Sequence, residues 1–106
     1  MSLSTLLNNN STKTYTITSP FGTKMSFKFK YVYINSSYGW RAYIIGCPSY
    51  GYRPTDLHST HRYYDENRGL YYVCWTVGLG RIEDMIEVSQ LWARLTAKYI
   101  DYGETF

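Results

Sequence analysis

Six residues spread over the middle of the chain have side chains suited to holding a nucleic acid. Lysine and arginine neutralise phosphates, and a tyrosine ring stacks on an unpaired base. The candidate binding residues are Lys28, Lys30, Arg41, Tyr43, Arg53 and Arg62. The competing interpretation is that the lysines are solvated strand residues that oppose edge-to-edge pairing of sheets. Both interpretations stay open at the level of sequence.

A second group of residues has the types needed for acid–base chemistry. Residues 50–62 contain both histidines, two arginines and an aspartate. Two histidines with pKa values near neutrality can act as general base and general acid, and a carboxylate can orient one of them. The candidate catalytic residues of this alternative are His58, His61 and Asp56, in a small metal-independent enzyme of the phosphodiesterase type. A histidine in a polar loop is also a common structural residue, so the sequence favours a non-enzymatic binding module.

The cysteines and histidines have the ligand types of a zinc site without its spacing. Cys47 and Cys74 lie far apart, whereas the paired cysteines of zinc sites are normally two to four residues apart. The segment 78–80, Gly-Leu-Gly, lacks the third glycine and the lysine of a phosphate-binding loop. We therefore expect no metal and no other cofactor, and we expect both thiols to be free.

The elements that must position these residues follow from hydrophobic periodicity. Residues 24–34 alternate most clearly, with Met25, Phe27, Phe29, Tyr31 and Tyr33 on one face and lysines on the other. Turn signals separate this segment from other alternating runs. The sequence predicts strands at 14–18, 24–34, 40–46, 62–64 and 70–76, with an irregular segment over 47–60.

After residue 80 the hydrophobic period changes from two to about 3.6, which predicts one long amphipathic helix. Its apolar side begins at Ile82 and ends at Tyr102, and Gly103 suits the position that stops a helix. The predicted fold class is α+β: an antiparallel sheet of four to five strands with one long C-terminal helix packed on one face. Of the two faces, the one that carries the odd-numbered residues of 24–34 is the better candidate for the face that the helix covers.

Thirteen tyrosines fall on both faces of the predicted strands. One helix covers only one face, so the second face, with Lys28, Lys30, Arg41 and Tyr43, meets a ligand, another layer or a second copy of the chain. Nucleic acid is the favoured partner, and a protein partner or a homodimer is a further alternative.

Composition bounds the domain count and the compartment. The 106 residues carry a formal net charge of +3 and suit one domain, predicted at 14–106 after a mobile leader at 1–13. The leader has no basic region or long apolar run, and no stretch has the roughly 20 apolar residues of a membrane helix. The sequence therefore predicts a cytoplasmic protein without a membrane partner.

Several aromatic and basic segments together carry a resemblance to known proteins. They are Tyr38-Gly39-Trp40-Arg41, His58-Ser59-Thr60-His61-Arg62, Tyr71-Tyr72-Val73-Cys74-Trp75 and Leu91-Trp92-Ala93, with Tyr99. Over residues 24–106 the chain resembles small uncharacterised proteins of bacterial mobile elements. The resemblance implies a bacterial cytoplasmic protein and assigns no activity or site residue.

Overall fold

The protein folds into one antiparallel sheet and one long helix. The structure, a computed structural model, describes residues 12–106. Five strands lie in the spatial order β1-β2-β3-β5-β4, so the α+β prediction is confirmed. In chain order the elements are β1 (Thr12–Thr18), β2 (Lys24–Asn35), β3 (Gly39–Gly46), α1 (Leu57–Thr60), β4 (Arg62–Asp65), β5 (Leu70–Val73) and α2 (Ile82–Tyr102).

The hydrophobic core lies between α2 and the odd face of β2. Met25, Phe27, Phe29 and Tyr31 are buried there together with Trp92 and the small residues Ala93 and Ala97 of α2. The rings of Phe27 and Phe29 meet the Trp92 ring edge-on, at 6.0 and 5.9 Å between centroids. The helix therefore takes the face that the alternation of β2 predicts.

Both ends of α2 have residues that suit a helix terminus. Glu83 and Asp84 lie in the first turn, where negative charge is favoured by the helix dipole. Gly103 adopts a left-handed conformation with φ of 76°, and its N–H donates to the Tyr99 carbonyl at 2.7 Å. The predicted stop at Gly103 is confirmed.

The long connection after β3 packs beside α2. The Tyr99 hydroxyl donates to the Pro54 carbonyl at 2.7 Å, and the Trp92 indole N–H donates to the Thr60 carbonyl at 2.9 Å. The connection is not wholly irregular, because α1 forms one turn at its end and stops at His61, whose φ is 50°. Among residues 12–106, neither this connection nor α2 packs on the other side of the sheet.

Two strand boundaries differ from the predictions by more than one residue. β1 begins at Thr12, so Thr12 and Lys13 belong to the sheet, and the rest of the predicted leader, 1–11, lies outside the described residues. β5 ends at Val73 rather than at residue 76, because the chain then turns towards β3, where Leu79 forms a parallel bridge with Gly39. In residues 12–106 neither helix combines the length and the apolar character that crossing a membrane requires.

Candidate functional site

The face of the sheet turned away from α2, which we call the open face, has a continuous row of side chains. Strand register places one residue of each strand beside the next, in the order Thr12, Lys30, Tyr43, Tyr72 and Tyr63. The three tyrosine rings lie 5.7 Å apart between successive centroids. The row therefore changes from an ammonium group to aromatic rings across the sheet.

One half of the open face is basic. Lys24, Lys28 and Lys30, which we call the lysine column, are exposed on β2 and face threonines of β1. Among the described residues none of the three lysines has a carboxylate within salt-bridge distance. These ammonium groups are available to an anionic ligand, and the neighbouring threonine hydroxyls can donate to its oxygens.

The other half of the open face is held together by one carboxylate. Asp65 accepts a hydrogen bond from the Tyr43 hydroxyl at 2.6 Å and lies 3.5 Å from Nη1 of Arg41 and 3.9 Å from Nε of Arg68. The Arg41 guanidinium lies over the Tyr72 ring at 4.2 Å, and that of Arg68 lies over the Tyr43 ring at 5.1 Å. We call Arg41, Tyr43, Asp65, Arg68 and Tyr72 the arginine–tyrosine cluster.

The electrostatics of this cluster fix its protonation states. The Tyr43 hydroxyl lowers the pKa of Asp65, assisted by the backbone N–H groups of Arg68 and Asn67 and by the charge of Arg41. Burial raises the pKa of Tyr43, and its hydrogen bond to Asp65 raises it further. Asp65 is therefore a carboxylate and Tyr43 a neutral phenol at neutral pH.

Four of the six predicted binding residues lie on the open face, but Tyr43 is placed differently from its expected role. Lys28 and Lys30 are exposed and Arg41 is partly exposed, whereas Tyr43 is only 1% exposed and its hydroxyl is engaged by Asp65. Its ring supports the cluster and is not available to a ligand. The rings that a ligand can reach near it are Tyr63, 40% exposed, and Tyr72, partly exposed.

The other two predicted binding residues lie elsewhere. Arg53 donates from Nε and Nη2 to the carbonyls of Ile100 and Asp101, at 3.1 and 2.8 Å, and so caps the end of α2. Arg62 pairs in register with Val73 on the helix side of the sheet, where its guanidinium lies 3.8 Å over the Tyr71 ring. The structure does not bring Arg53 or Arg62 to the lysine column.

His58 and His61, the alternative catalytic histidines, make separate contacts in the described part of the chain. The His61 ring stacks on Phe106 with centroids 4.5 Å apart, and His58 is exposed on α1. The Ser59 hydroxyl lowers the pKa of Asp56. Within residues 12–106 no hydrogen bond joins His58 to His61 or to the Asp56 carboxylate.

Cys47 and Cys74 are not grouped with other metal-ligating side chains in residues 12–106. In the described part of the chain, no three histidine, cysteine, aspartate or glutamate side chains are grouped closely enough to hold a metal ion. Cys47 and Cys74 are free thiols, and burial raises the pKa of Cys47 to about 11. The Cys47 thiol is therefore protonated and unreactive near neutral pH.

Sequence reasoning did not name Lys24 or Tyr72 as site residues, and it missed three residues of the β4–β5 hairpin on the open face, namely Tyr63, Asp65 and Arg68. Their placement depends on the register of the β4–β5 hairpin, in which Tyr63 pairs with Tyr72 and Asp65 with Leu70. Alternation along β5 puts Tyr72 and Leu70 on one face, so pairing β4 with β5 in this register from the sequence would have identified Tyr63 and Asp65. Arg68 lies in the turn, and no periodic signal identifies its contact with Tyr43.

Comparison of the chain with protein-family models, with curated proteins and with solved structures found no match. The resemblance of residues 24–106 to proteins of bacterial mobile elements stays a prediction, and no activity is inherited from a relative.

Proposed function

We propose that the protein is a small non-enzymatic module that binds single-stranded nucleic acid on the open face. The observation that carries the proposal is the row from Lys30 to Tyr63, in which unpaired positive charge lies beside accessible aromatic rings. Proteins that bind single strands combine a basic track for the phosphates with aromatic rings on which bases stack. The row has both parts on one face of the same sheet.

The spacing of the strands suits a ligand whose phosphates bind the lysines and whose bases stack on the tyrosines. Lys30 and Tyr72 lie two strands apart, which is about 10 Å at the usual separation of neighbouring strands. A nucleic-acid backbone that follows the lysine column therefore directs its bases across β3 towards Tyr72 and Tyr63. In a paired duplex the bases are already stacked, so this arrangement favours an unpaired strand.

The geometry gives the enzyme alternative no comparable support. A general acid–base pair requires two groups within reach of the same reacting atoms. His61 is stacked against Phe106, and His58 points from the exposed side of α1. The nucleic-acid module is therefore the function that the side chains favour.

The proposal includes the bacterial cytoplasm as the compartment. Cys47 and Cys74 are both free and unpaired with each other, as is usual where glutathione and thioredoxin keep thiols reduced. Single-stranded nucleic acid is also present there, so partner and compartment are consistent.

The experiment that tests the proposal is fluorescence anisotropy of labelled single-stranded DNA, RNA and duplex DNA at several salt concentrations. The test variant reverses the lysine column, Lys24→Glu/Lys28→Glu/Lys30→Glu. The matched control reverses three exposed residues at or on α2, Arg81→Glu/Arg94→Glu/Lys98→Glu, so both variants change the net charge equally. We expect salt-dependent binding of single strands that is much weaker in the test variant and unchanged in the control. The slope of log affinity against log salt concentration, the salt slope, should be about 2 steeper in the parent than in the test variant.

Two outcomes would count against the proposal. Equal losses in both triple variants would mean that net charge, not the open face, attracts the nucleic acid. Absence of binding at low salt would remove nucleic acid as the partner. Light scattering on the same samples would then show whether the open face pairs with a second copy of the chain, since the mass would double.

A further inference from the structure

A cavity of about 310 Å³ lies at the junction of β3 and β5, beside the arginine–tyrosine cluster. Its volume is at the lower end of the roughly 300–1,000 Å³ of small-molecule sites, so it suits one ring system rather than an extended ligand. The residues that give it its chemistry are Tyr38, Trp40, Arg41, Tyr63, Tyr72 and Trp75. We call it the seam cavity.

The seam cavity exists because β3 and β5 are paired over a very short length. Tyr43 and Tyr72 are their one registered pair, and the chain leaves β5 after Val73. It returns to β3 only at the bridge between Leu79 and Gly39, where the Trp40 N–H donates to the Leu79 carbonyl at 2.9 Å. Between these two points the chain forms no ladder pair with β3 in the described residues, and residues 75–78 line the space.

Close backbone contacts fix one end of the cavity. A Cβ atom on Gly39 would lie 2.3 Å from the Leu79 oxygen, and one on Gly78 would lie 2.6 Å from the Ser37 oxygen. Only glycine permits these approaches. The walls are consequently held by backbone packing and do not depend on flexible side chains alone.

The lining of the cavity combines five aromatic rings with one guanidinium group. The Arg41 guanidinium carbon lies over the Tyr72 ring, 4.2 Å from its centroid, and also lies 5.2 Å from the centroid of the Tyr38 ring. Its Nη1 contacts Tyr43 and Asp65, whereas Nε and Nη2 have no hydrogen-bond partner among residues 12–106. Arg41 is thus oriented by its own contacts and keeps a pair of donors for a ligand.

This combination matches one chemical class of ligand. Aromatic walls favour a flat ring, and a guanidinium fork pairs with two adjacent acceptors on the edge of that ring. Among the bases, guanine presents such a pair in O6 and N7, and arginine to these two atoms is the commonest specific contact with a base. Arg41, Tyr63 and Tyr72 belong to the open face as well, so a strand bound there passes the mouth of the cavity.

We infer that the seam cavity receives one unpaired base of the strand bound on the open face and prefers guanine, held by Arg41 between the surrounding rings. The inference rests on the proposed function and adds a base preference to it. The lysine column supplies affinity for phosphates without regard to sequence, and the seam cavity supplies the discrimination.

The test uses two ligand pairs and three variants. The first ligand pair is an oligo-dT strand and the same strand with one central dG, measured by anisotropy. We expect the dG strand to bind about tenfold more tightly to the parent protein. Arg41→Lys keeps the charge and removes the fork, so the preference for the dG strand over oligo-dT should fall to about twofold. Lys30→Gln should weaken both strands equally.

The second ligand is free guanosine 5′-monophosphate, with ribose 5-phosphate as its control. Trp40 and Trp75 line the cavity, so the base should quench tryptophan fluorescence in a saturable way and the sugar phosphate should not. Tyr38→Ala removes one wall at a residue that is 60% exposed, so this variant stays folded even if Arg41→Lys does not. We expect it to weaken the quenching by guanosine 5′-monophosphate several-fold, by roughly the value of one stacking contact.

The outcomes separate the inference from the proposed function. If both strands bind and Arg41→Lys leaves the dG preference unchanged, or no preference exists, the inference is wrong and the nucleic-acid module stands. If guanosine 5′-monophosphate quenches while neither strand binds, the cavity is a nucleotide site and the module proposal fails. If neither strands nor nucleotide bind, both are overturned.

Discussion

The two faces of the sheet bury aromatic rings by different means. On the face covered by α2, Phe27 and Phe29 are 0% exposed because a layer of helix side chains lies on them. On the open face, which has no helix on it in the described residues, Tyr43 is only 1% exposed because Arg41, Arg68 and Tyr72 surround its ring and Asp65 holds its hydroxyl. One face is ordered by apolar packing and the other by charges and hydrogen bonds.

The difference separates stability from binding. Burial of large apolar side chains contributes about 1.5–3 kcal/mol each, whereas a cation–π contact at a partly exposed site contributes about 0.5–1 kcal/mol. The covered face therefore supplies most of the free energy of unfolding. The open face keeps its side chains in fixed positions at low energetic cost, which leaves them accessible to a ligand.

The largest effect on the free energy of unfolding is expected at Phe29, compared with its neighbour Lys28 on the opposite face. Phe29→Ala removes a ring packed between Tyr15, Tyr31 and Trp92, and should destabilise the protein by about 3–5 kcal/mol. Lys28→Ala should change the stability by less than about 0.5 kcal/mol. Urea unfolding followed by tryptophan fluorescence measures the free energy of unfolding of both variants. Similar losses in the two would show that the covered face does not contribute more to stability than the open face.

The next largest effect is expected at Gly39, where the chain closes one end of the seam cavity. Gly39 and Gly51 both have left-handed φ angles, 66° and 61°. Of the two, only Gly39 would place a Cβ atom against other backbone, that of Leu79. Gly51→Ala should cost about 1 kcal/mol from backbone conformation alone, and Gly39→Ala more than about 2 kcal/mol. Equal costs in thermal or urea unfolding would show that the contact with Leu79 is not tight.

Tyr43→Phe tests whether polar contacts order the open face. The change removes the hydrogen bond to Asp65 and should cost about 1 kcal/mol at neutral pH. The pKa of Asp65 is lowered in the folded protein, so the stabilisation from its charge is present above the unfolded value of about 3.9 and is lost as the pH falls through the folded value. The difference between parent and variant should shrink below about pH 4 in urea unfolding. A difference that is constant down to pH 2 would contradict this account.

The smallest effect on stability is expected for Lys30→Gln, which sharpens the comparison by separating folding from binding. Lys30 is exposed and faces Thr12 and Tyr43 in register, so its loss should change the free energy of unfolding by less than about 0.5 kcal/mol. The slope of log affinity against log salt concentration for single-strand binding should become shallower by about 0.7, the value of one phosphate contact. A large loss of stability would mean that Lys30 supports the open face rather than serving a ligand.

The sequence predicts the covered face well, because its signals are local and repeated. Five alternating apolar residues identify β2 and its buried side, and the change of period after residue 80 identifies α2 and its end at Gly103. Each signal extends over many residues, so one exception does not obscure it.

The open face is harder to predict, because its decisive contacts join distant residues. Tyr43 and Asp65 are 22 positions apart, and Arg53 meets the end of α2 across 47 positions. Alternation assigns Tyr43 and Arg41 to one face. It does not show that Asp65 accepts a hydrogen bond from Tyr43 and orients Arg41 through an ion pair. The one-turn helix α1 is too short for any period to reveal, and the seam cavity depends on where β5 ends, which is set by the distant bridge to Gly39.

The single registered pair between β3 and β5 has a consequence for the motions of the sheet. β1, β2 and β3 form one extensively bonded unit and β4 with β5 another, and Tyr43 with Tyr72 is the ladder contact between them. Local opening occurs where few backbone hydrogen bonds have to break. The amide protons of the β4–β5 hairpin should therefore exchange with deuterium sooner than those of β2, and a ligand in the seam cavity, by bridging both units, should slow the hairpin and leave β2 unchanged.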